Sequence, residues 1–535
     1  MERASWQHAQ KIRYKSTVMR SQVQPAKLSS DGKRPRTAAP KHGLNCDARR
    51  ASSQPRRSKN CVANEVLPAS DSEMMCRKPG LFRIALAAVF GLALSFQASV
   101  ALAAPAKPHI LFILTDDMGY GDIGCYGGKF APTPNLDRLA REGIRFTQYY
   151  SAAPICSPAR TGITTGMFPA QWNITSFLQT RAGNRQCEQA DFLNPSAPSL
   201  ARALKTAGYV TAHFGKWHMG GGRDVTNAPP FAAYGFDEHA GTWESPEPHP
   251  DITSTNWIWS PSDKVNRWDR TAFFVDQTLD FFRRHKTRPC FVNLWPDDVH
   301  TPWVPNQERL GLYPSGPEEE RKFRAVLDEY DRQMGHLFTG LKELGIEGST
   351  LVIFASDNGP LPSFRGSRSG GYRGSKLSLY EGGIRMPFIV RWPGHTPAGR
   401  IDDQTVLAAA DLFPSLCAIA GLDLPKDVAF DGEDFSAALT GKPRPTRSRP
   451  LFWEYGRNIN SFAFPKGQDR SPNVAIREGD WKLLVNADSS SLELYNLKTD
   501  PKETTNVAQG QAEVAQRLKR KVLAWRRSLP ALAGQ

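Results

Sequence analysis

The stretch "KPHILFILTDDMGYGD", residues 107–122, decides the fold class. Its apolar run from Ile110 to Leu114 leads almost directly into the acidic pair Asp116 and Asp117. An unbroken apolar run predicts a strand that is buried on both faces, which is typical of parallel sheets covered by helices. In such sheets, functional residues collect at the carboxyl ends of the strands, where these two carboxylates stand.

Helical and strand patterns alternate along the chain after this stretch. We predict helices followed by apolar strands in "SLARALKTAGYVTAHFGKWH" (199–218) and "EYDRQMGHLFTGLKELGIEGSTLVIFASDNG" (329–359), a strand and loop in "CFVNLWPDDVH" (290–300), and a helix in "TPNLDRLAREGIRF" (133–146), where Leu136, Leu139 and Ile144 share one face. This alternation predicts an α/β fold, with a large, mostly parallel sheet sandwiched by helices.

The pattern changes near residue 441. Short strands are predicted in "RPLFWEY" (449–455), "VAIREGDWKLLVN" (474–486) and "LELYNL" (492–497), and an amphipathic helix in "EVAQRLKRKVLAWRRSL" (513–529). We therefore expect a main domain over residues 105–440 and a small C-terminal α+β lobe, an antiparallel sheet plus one helix, over residues 441–535.

The net charge of +15 comes almost entirely from the front of the chain. Residues 1–106 hold 18 Lys and Arg against 6 Asp and Glu, so subtraction from the totals of 68 and 53 leaves 50 basic and 47 acidic residues, a net of +3. A nearly neutral body argues against nucleic acid as a partner. Residues 1–73 are basic and lack apolar periodicity, so we expect them to be disordered.

The stretch "MMCRKPGLFRIALAAVFGLALSFQASVALAAPAK" (74–107) has the layout of a secretory signal peptide, with positive charges, an apolar run and a final A-x-A. We predict a signal peptide over residues 74–104, with residues 1–73 as a mis-called start, and a periplasmic or secreted protein. A retained signal anchor is the alternative, which polar residues within the run disfavour. No second long apolar stretch follows, so no stable membrane association is expected after signal removal.

Two polar pairs at predicted strand ends indicate a metal site. Asp116 and Asp117 would repel each other unless a cation compensates them. Asp357 and Asn358, which follow the strand "STLVIFAS", bring a second carboxylate and an amide oxygen to the same sheet edge. Carboxylate and amide oxygens are the ligands that Ca²⁺ and Mg²⁺ prefer. For either pair alone, an ordinary turn is the simpler interpretation.

Basic residues accompany these pairs in the loops that follow the predicted strands. Each could be an ordinary packing or surface residue, but together they predict an anion pocket with two imidazoles able to move protons. The candidates are Arg160, Lys216, His218, His300 and Lys376.

Cys156 lies in the small-residue stretch "APICSPARTGITTG" (153–166). Pro158 suits the first turn of a helix, which places Cys156 at a helix N-terminus. A buried packing thiol and a thiolate nucleophile are both open interpretations. Because the proposed metal ligands are hard oxygen donors, an oxygen nucleophile would match them better than sulfur.

These residues together resemble the sulfatase family. "CSPARTGITTG" is similar to the sulfatase signature, in which Cys-x-Pro-x-Arg directs conversion of the cysteine to Cα-formylglycine. Further segments resemble the family in its own order, over roughly residues 108–529: "ILTDDMGYGD", "GKWH", "SDNGP", "LYEGGIRMPFIVRWPG" and "AIREGDWKLL…ELYNLKTDPKETTN". The resemblance implies an alkaline-phosphatase-like fold, with residues 105–440 as the sulfatase catalytic domain.

The resemblance also implies a mechanism. A formylglycine-generating maturation enzyme would convert Cys156, and the hydrated aldehyde, a gem-diol activated by one Ca²⁺ per chain, would be the nucleophile. The implied Ca²⁺ ligands are Asp116, Asp117, modified Cys156, Asp357 and Asn358. The implied catalytic residues are Cys156, Arg160 and Lys216 at the diol, His300 and Lys376 on the leaving-group side, and His218, which deprotonates the second hydroxyl so that sulfate leaves.

The expected function is therefore that of an exported sulfatase, a sulfuric ester hydrolase of the arylsulfatase-like type. A sulfated carbohydrate is favoured over an aryl sulfate as the substrate because an insert rich in tryptophan could stack on sugars, with packing of the same rings as the alternative. Its tryptophans are Trp243, Trp257, Trp259 and Trp268. Two alternatives are a phosphonate or phosphate ester hydrolase of the same superfamily and an inactive relative that only binds.

Overall fold

The computed structural model describes residues 107–252, 259–443, 446–461 and 467–532. The predicted basic segment 1–73, the predicted signal peptide 74–104 and Trp257 lie outside the described residues.

A nine-stranded mixed sheet forms the centre of the protein. Its strands are β1 (His109–Thr115), β2 (Ile144–Tyr150), β3 (Val210–Gly215), β4 (Glu238–Gly241), β5 (Cys290–Trp295), β6 (Thr350–Ser356), β7 (Arg385–Arg391), β8 (Arg400–Asp402) and β9 (Leu407–Ala408). The spatial order is β4-β3-β5-β1-β6-β7-β2-β8, and β9 also pairs with β2. Strand β7 runs antiparallel to β6 and β2, and the other pairings are parallel.

Helices cover both faces of this sheet. The α-helices are α1 (Pro134–Arg141), α2 (Cys156–Thr165), α3 (Arg181–Gln186), α4 (Leu200–Thr206), α5 (Arg270–His285), α6 (Gln307–Gly311), α7 (Glu318–Glu343), α8 (Glu381–Ile384), α9 (Leu412–Ile419), α10 (Ser436–Leu439) and α11 (Ala512–Ser528). Alternate residues of β1 enter different cores: Phe112 packs in the core with α4 and α9, and Ile113 packs in the core with α5 and α7. The predicted α/β class is confirmed.

One predicted helix is shorter than its apolar pattern indicated. Helix α1 ends at Arg141, and Ile144 is the first residue of β2. Leu136 and Leu139 pack in one core, whereas Ile144 packs in the core on the opposite sheet face. The three residues therefore do not share one helix face. The side-chain spacing was compatible with a helix, but pairing of β2 with β7 decides the conformation.

A separate four-stranded antiparallel sheet follows, as the pattern after residue 441 predicts. Its strands are β10 (Leu451–Glu454), β11 (Val474–Glu478), β12 (Trp481–Val485) and β13 (Glu493–Asn496), paired in chain order. One face packs on α11, through residues such as Ile476 and Leu518. The other face shares an apolar cluster with Cys156 and Leu379, so the small sheet packs beside the start of α2.

Two further features concern the helices and the cysteines of the described residues. No helix of the described residues has the length and apolar character needed to cross a membrane. The five cysteines in the described part of the chain are free thiols: Cys125, Cys156, Cys187, Cys290 and Cys417.

Helix α1 takes its N-terminal cap from another helix. Thr133 precedes α1 but makes no side-chain cap to it. Instead, the buried carboxylate of Asp331, on α7, accepts hydrogen bonds from the backbone N–H groups of Asn135 (3.1 Å) and Leu136 (2.9 Å) and from the Asn135 amide (2.9 Å). The first N–H groups of a helix have no acceptor within that helix. Asp331 supplies the acceptor for two of these groups in α1, and this contact joins α1 to α7.

We expect Asp331→Ala to lower the free energy of unfolding by about 1–3 kcal/mol, because it leaves the buried N–H group of Leu136 and the half-buried N–H group of Asn135 without acceptors. Chemical denaturation with an unchanged m-value would measure this loss. Asp276→Ala on α5 is the control, since the Asp276–His336 ion pair is exposed and should contribute less than about 1 kcal/mol. Equal losses in both variants would contradict the capping role.

Candidate active site

The parallel pairing of β1 and β6 brings the two polar pairs together. Thr115 lies opposite Ser356 in the register, so the chain leaves both strands at the same edge. Asp116 and Asp117 follow the first strand, and Asp357 and Asn358 follow the second. Carboxylate oxygens of the three aspartates lie within 4.8 Å of one another.

All four of these side chains are buried. The Asn358 amide nitrogen donates to Asp117 Oδ1 at 2.7 Å, whereas its Oδ1 atom is buried without a hydrogen-bond partner. Three carboxylates and an orphaned amide oxygen form a hard-oxygen donor set, which fits a divalent cation such as Ca²⁺. The structure therefore brings together four of the residues that were predicted as metal ligands.

Three buried cations surround the carboxylates. Lys216 Nζ lies 2.7 Å from Asp116 Oδ2, and Lys376 Nζ lies 2.6 Å from Asp117 Oδ1. Arg160 pairs with Asp357 at 2.7 Å and donates to the backbone oxygen of Lys216 at 2.7 Å. Although burial opposes ionisation of Asp116, Lys216 and its other charged neighbours hold the pKa of that carboxyl well below its usual range.

Cys156 is the first residue of α2, as the position of Pro158 predicted. Its Sγ atom lies 3.4 Å from Asp116 Oδ1 and 3.5 Å from both Lys216 Nζ and Lys376 Nζ. Burial, together with Asp116, raises the pKa of the thiol. Lys216 and Lys376 oppose this shift without reversing it, and a raised pKa does not favour a thiolate nucleophile.

His300 lies at the partly exposed side of the same group. Its Nε2 atom is 3.6 Å from Asp117 Oδ2, and a ring nitrogen lies within 4.8 Å of Cys156 Sγ and an Asp116 oxygen. Its Nδ1 atom is 2.5 Å from the Thr301 carbonyl oxygen. Burial, followed by the charge of Lys376, lowers the pKa of His300 to about 4.

His218 stands apart from the other predicted site residues. Its Nε2 atom is 3.1 Å from the Leu178 carbonyl oxygen, and its Nδ1 atom is 3.5 Å from Glu244 Oε2. Burial lowers the pKa of His218 to about 3, although Glu244 opposes this shift. In the described structure its polar contacts are with these two residues rather than with Cys156.

Two protein-family models match this chain. The sulfatase family model matches residues 108–422, and a model described as "N-sulphoglucosamine sulphohydrolase, C-terminal" matches residues 373–528. The chain belongs to the sulfatase family. It is accordingly a sulfuric ester hydrolase.

Individual sulfatases are similar over most of their length. An N-acetylgalactosamine-6-O-sulfatase of Bacteroides thetaiotaomicron is 29% identical over 77% of this chain and 92% of the relative. Human arylsulfatase A is 32% identical over 80% of this chain and 89% of the relative. A solved Bacteroides thetaiotaomicron structure, titled for the metabolism of multiple glycosaminoglycans, aligns at TM-score 0.65 and 26% identity over 79% of this chain and 99% of its own.

Sequence reasoning missed a buried ion pair beside the sulfatase site. Arg368 pairs with Asp122 at 2.7 Å and donates to the backbone oxygen of Asp117 at 2.8 Å. Asp122 ends the opening "GYGD" motif, which was a visible signal. Arg368 lies in an irregular loop, where no periodic pattern distinguishes it from a surface residue.

A second missed group supports the His300 loop. Arg267 pairs with Asp297 at 2.6 Å and donates to the backbone oxygen of His300 at 2.9 Å. Arg270 pairs with the same Asp297 at 3.0 Å. The adjacent acidic residues in "WPDDVH" were a signal that the sequence offered, but their partners lie on a preceding helix and turn.

The tryptophan-rich insert gives limited support to sugar stacking. Trp243 is buried, and the guanidinium of Arg223 lies 5.0 Å from its ring centroid. One face of the Trp243 ring is therefore covered by the Arg223 side chain. Trp259 and Trp268 are half-buried, and Trp257 lies outside the described residues.

Calcium should stabilise this sulfatase, because a ligand that binds only the folded state adds about 2.7 kcal/mol at a hundred times its Kd. We expect the melting temperature to rise with Ca²⁺ in the wild type and to rise much less in Asn358→Ala, which lacks the orphaned oxygen. Differential scanning calorimetry with Ca²⁺ and with a chelator measures both responses.

Asn473→Ala provides the matched control. Asn473 is a buried residue immediately before β11, and its side-chain amide donates to the Gly456 carbonyl oxygen at 3.0 Å. Both variants should melt below the wild type, but only Asn473→Ala should keep the full Ca²⁺ response. An undiminished response in Asn358→Ala would contradict its place among the ligands.

Proposed function

We propose that this chain is an exported sulfatase that hydrolyses a sulfate ester of a sulfated carbohydrate, using Cα-formylglycine at position 156 and a bound Ca²⁺. The observation that carries the proposal is the position of the Cys156 side chain. It begins a helix and lies within 3.5 Å of Asp116, Lys216 and Lys376. The named N-acetylgalactosamine-6-O-sulfatase relative supports a carbohydrate substrate.

Ca²⁺ would be held by oxygens of Asp116, Asp117, Asp357, Asn358 and the modified residue 156, and would supply positive charge against the developing charge of the sulfate. The hydrated aldehyde would supply an oxygen nucleophile whose second hydroxyl permits release of sulfate, which a serine in the same place could not do.

The lysines receive the anion. Lys216 and Lys376 each place an ammonium group 3.5 Å from the Cys156 sulfur, which marks the position of the nucleophile. Both ammonium groups are already fixed by carboxylates, so they need not reorganise as charge develops on the sulfate oxygens. Arg160 contacts Asp357 and the Lys216 backbone oxygen. Through these contacts it would orient the Asp357 carboxylate and Lys216.

Three residues would take part in proton transfer. His300 lies on the exposed side, within 4.8 Å of the Cys156 sulfur, so His300, helped by Lys376, would supply the proton to the departing alkoxide. His218 keeps the role of base that the family resemblance implies. To act directly, its imidazole would have to exchange the Leu178 carbonyl for the second hydroxyl.

The proposal also includes the localisation and the maturation of the chain. The signal peptide over residues 74–104 would direct the chain to the periplasm or the medium, and a formylglycine-generating enzyme would be its maturation partner. Residues 105–440 would form the catalytic domain, and residues 441–535 the C-terminal lobe.

The proposed function predicts that Cys156 is modified. In a host with formylglycine-generating machinery, the peptide spanning Cys156 should carry the mass of the aldehyde rather than the thiol. Peptides with Cys187 and Cys290 from the same digest should stay unmodified. A thiol at position 156, in a host that converts a control sulfatase, would refute the proposed nucleophile.

The proposed function also predicts a preference for sulfate esters over phosphate esters. We expect kcat/KM for a 6-sulfated N-acetylgalactosamine to exceed that for the corresponding phosphate ester by at least about a hundredfold. An aryl sulfate tests the arylsulfatase alternative with the same preparation. Preference for a phosphate or phosphonate ester would instead assign the chain to another hydrolase activity of the superfamily.

A further inference from the structure

The small sheet contains a fully buried cation that the proposed chemistry does not use. Lys482 lies on β12, and its Nζ atom is 2.9 Å from both Glu381 Oε1 and Glu503 Oε1. All three side chains are completely buried. Buried ion pairs seldom add net stability over apolar residues of similar size, so this cluster points to a role other than stability.

Glu381 connects this cluster to a catalytic lysine. It begins α8, five residues after Lys376 in the chain. Its backbone N–H donates to Glu503 Oε2 at 2.6 Å, and its own Oε2 accepts from the Tyr150 hydroxyl at 2.6 Å. The segment that carries Lys376 is therefore fixed at its C-terminal end to β12 and β2.

Residues 373–384, which we name the lysine loop, are fixed to the small sheet at the other end as well. The Arg373 guanidinium donates to the Tyr495 hydroxyl at 2.7 Å and to the Glu503 backbone oxygen at 3.2 Å. The Gly382 N–H donates to the Arg373 carbonyl oxygen at 2.7 Å, so the two ends of the loop are also joined to each other.

The middle of the lysine loop meets the active site. The Lys376 N–H donates to the Pro360 carbonyl oxygen at 2.7 Å, and the Leu377 N–H donates to the Pro154 carbonyl oxygen at 2.9 Å. Leu377 has a φ of 72°, a conformation that is strained for a bulky residue and persists only when its surroundings impose it. The anchored ends supply that constraint.

We propose that Lys482 and Glu503 are positioning residues of the sulfatase site, holding the lysine loop so that the Lys376 ammonium stays on Asp117 and on the nucleophile at position 156. They touch neither the nucleophile nor the sulfate, and they act through Lys376. The inference rests on the role of Lys376 in the proposed function.

The test compares Lys482→Met and Lys482→Met/Glu503→Gln with a control on α11, the helix that packs on the same sheet. The double variant removes one charge of each sign, and the remaining Glu381 keeps Tyr150 and Arg385 as partners, so it should fold where the single variant fails. The control is Arg526→Met, which breaks the Arg526–Glu454 pair (2.9 Å) without touching the lysine loop.

With an aryl sulfate as substrate, well below each melting temperature, we expect kcat of both Lys482 variants to fall by about tenfold to a hundredfold, because small displacements of a catalytic group have such effects. KM should change less than kcat. Arg526→Met should melt earlier but keep the wild-type kcat. In a Lys376→Ala background, the Lys482 changes should cost nothing further, because their effect passes through that lysine.

Hydrogen–deuterium exchange provides a readout that does not depend on activity. Amides of the lysine loop should exchange faster in the double variant and at the wild-type rate in Arg526→Met. Wild-type kcat or unchanged exchange in the Lys482 variants would overturn the positioning role. Wild-type kcat in Lys376→Ala would instead overturn the proposed role of Lys376, so the two failures are distinguishable.

Discussion

The site depends on the mutual neutralisation of three buried carboxylates by three buried cations. Asp116, Asp117 and Asp357 lie within 4.8 Å of one another, an arrangement that like charges would oppose in a dry interior. Their partners are the cations Arg160, Lys216 and Lys376. Removing one member of a buried ion pair typically costs about 3–5 kcal/mol, because the other charge is left uncompensated.

This charge balance constrains the architecture, because its members come from separate elements. The carboxylates follow β1 and β6, Arg160 lies on α2, Lys216 follows β3, and Lys376 lies on the lysine loop. The parallel register of β3, β5, β1 and β6 fixes the positions of the three carboxylates and of Lys216. The loop is not a strand of that sheet, and besides Tyr150 its two ends contact Lys482, Glu503 and Tyr495 of the C-terminal region.

The same arrangement is suited to sulfate ester hydrolysis. Ammonium groups that are already held by carboxylates meet a sulfate without the cost of ordering flexible side chains, which is the advantage of a preorganised site. Further buried ion pairs contact the backbone of this site: Arg368 with Asp122 beside Asp117, and Arg267 with Asp297 beside His300. The exposed side, where His300 lies, is left for the substrate.

The sequence by itself determined the α/β class, the strand ends that carry the acidic pairs and the position of Cys156 at the start of a helix. These features depend on local rules: apolar runs, helix-start chemistry and polar residues that follow strands. It also predicted nine site residues that the structure gathers within one contact network. Only the tertiary structure decided that Ile144 belongs to a strand, that His218 faces Glu244, and that Lys482 anchors the lysine loop. Each of these depends on partners distant along the chain, as with Lys482 and Glu381, which are 101 residues apart. A local sequence pattern does not predict such partners, because the packing of whole helices and strands brings them together.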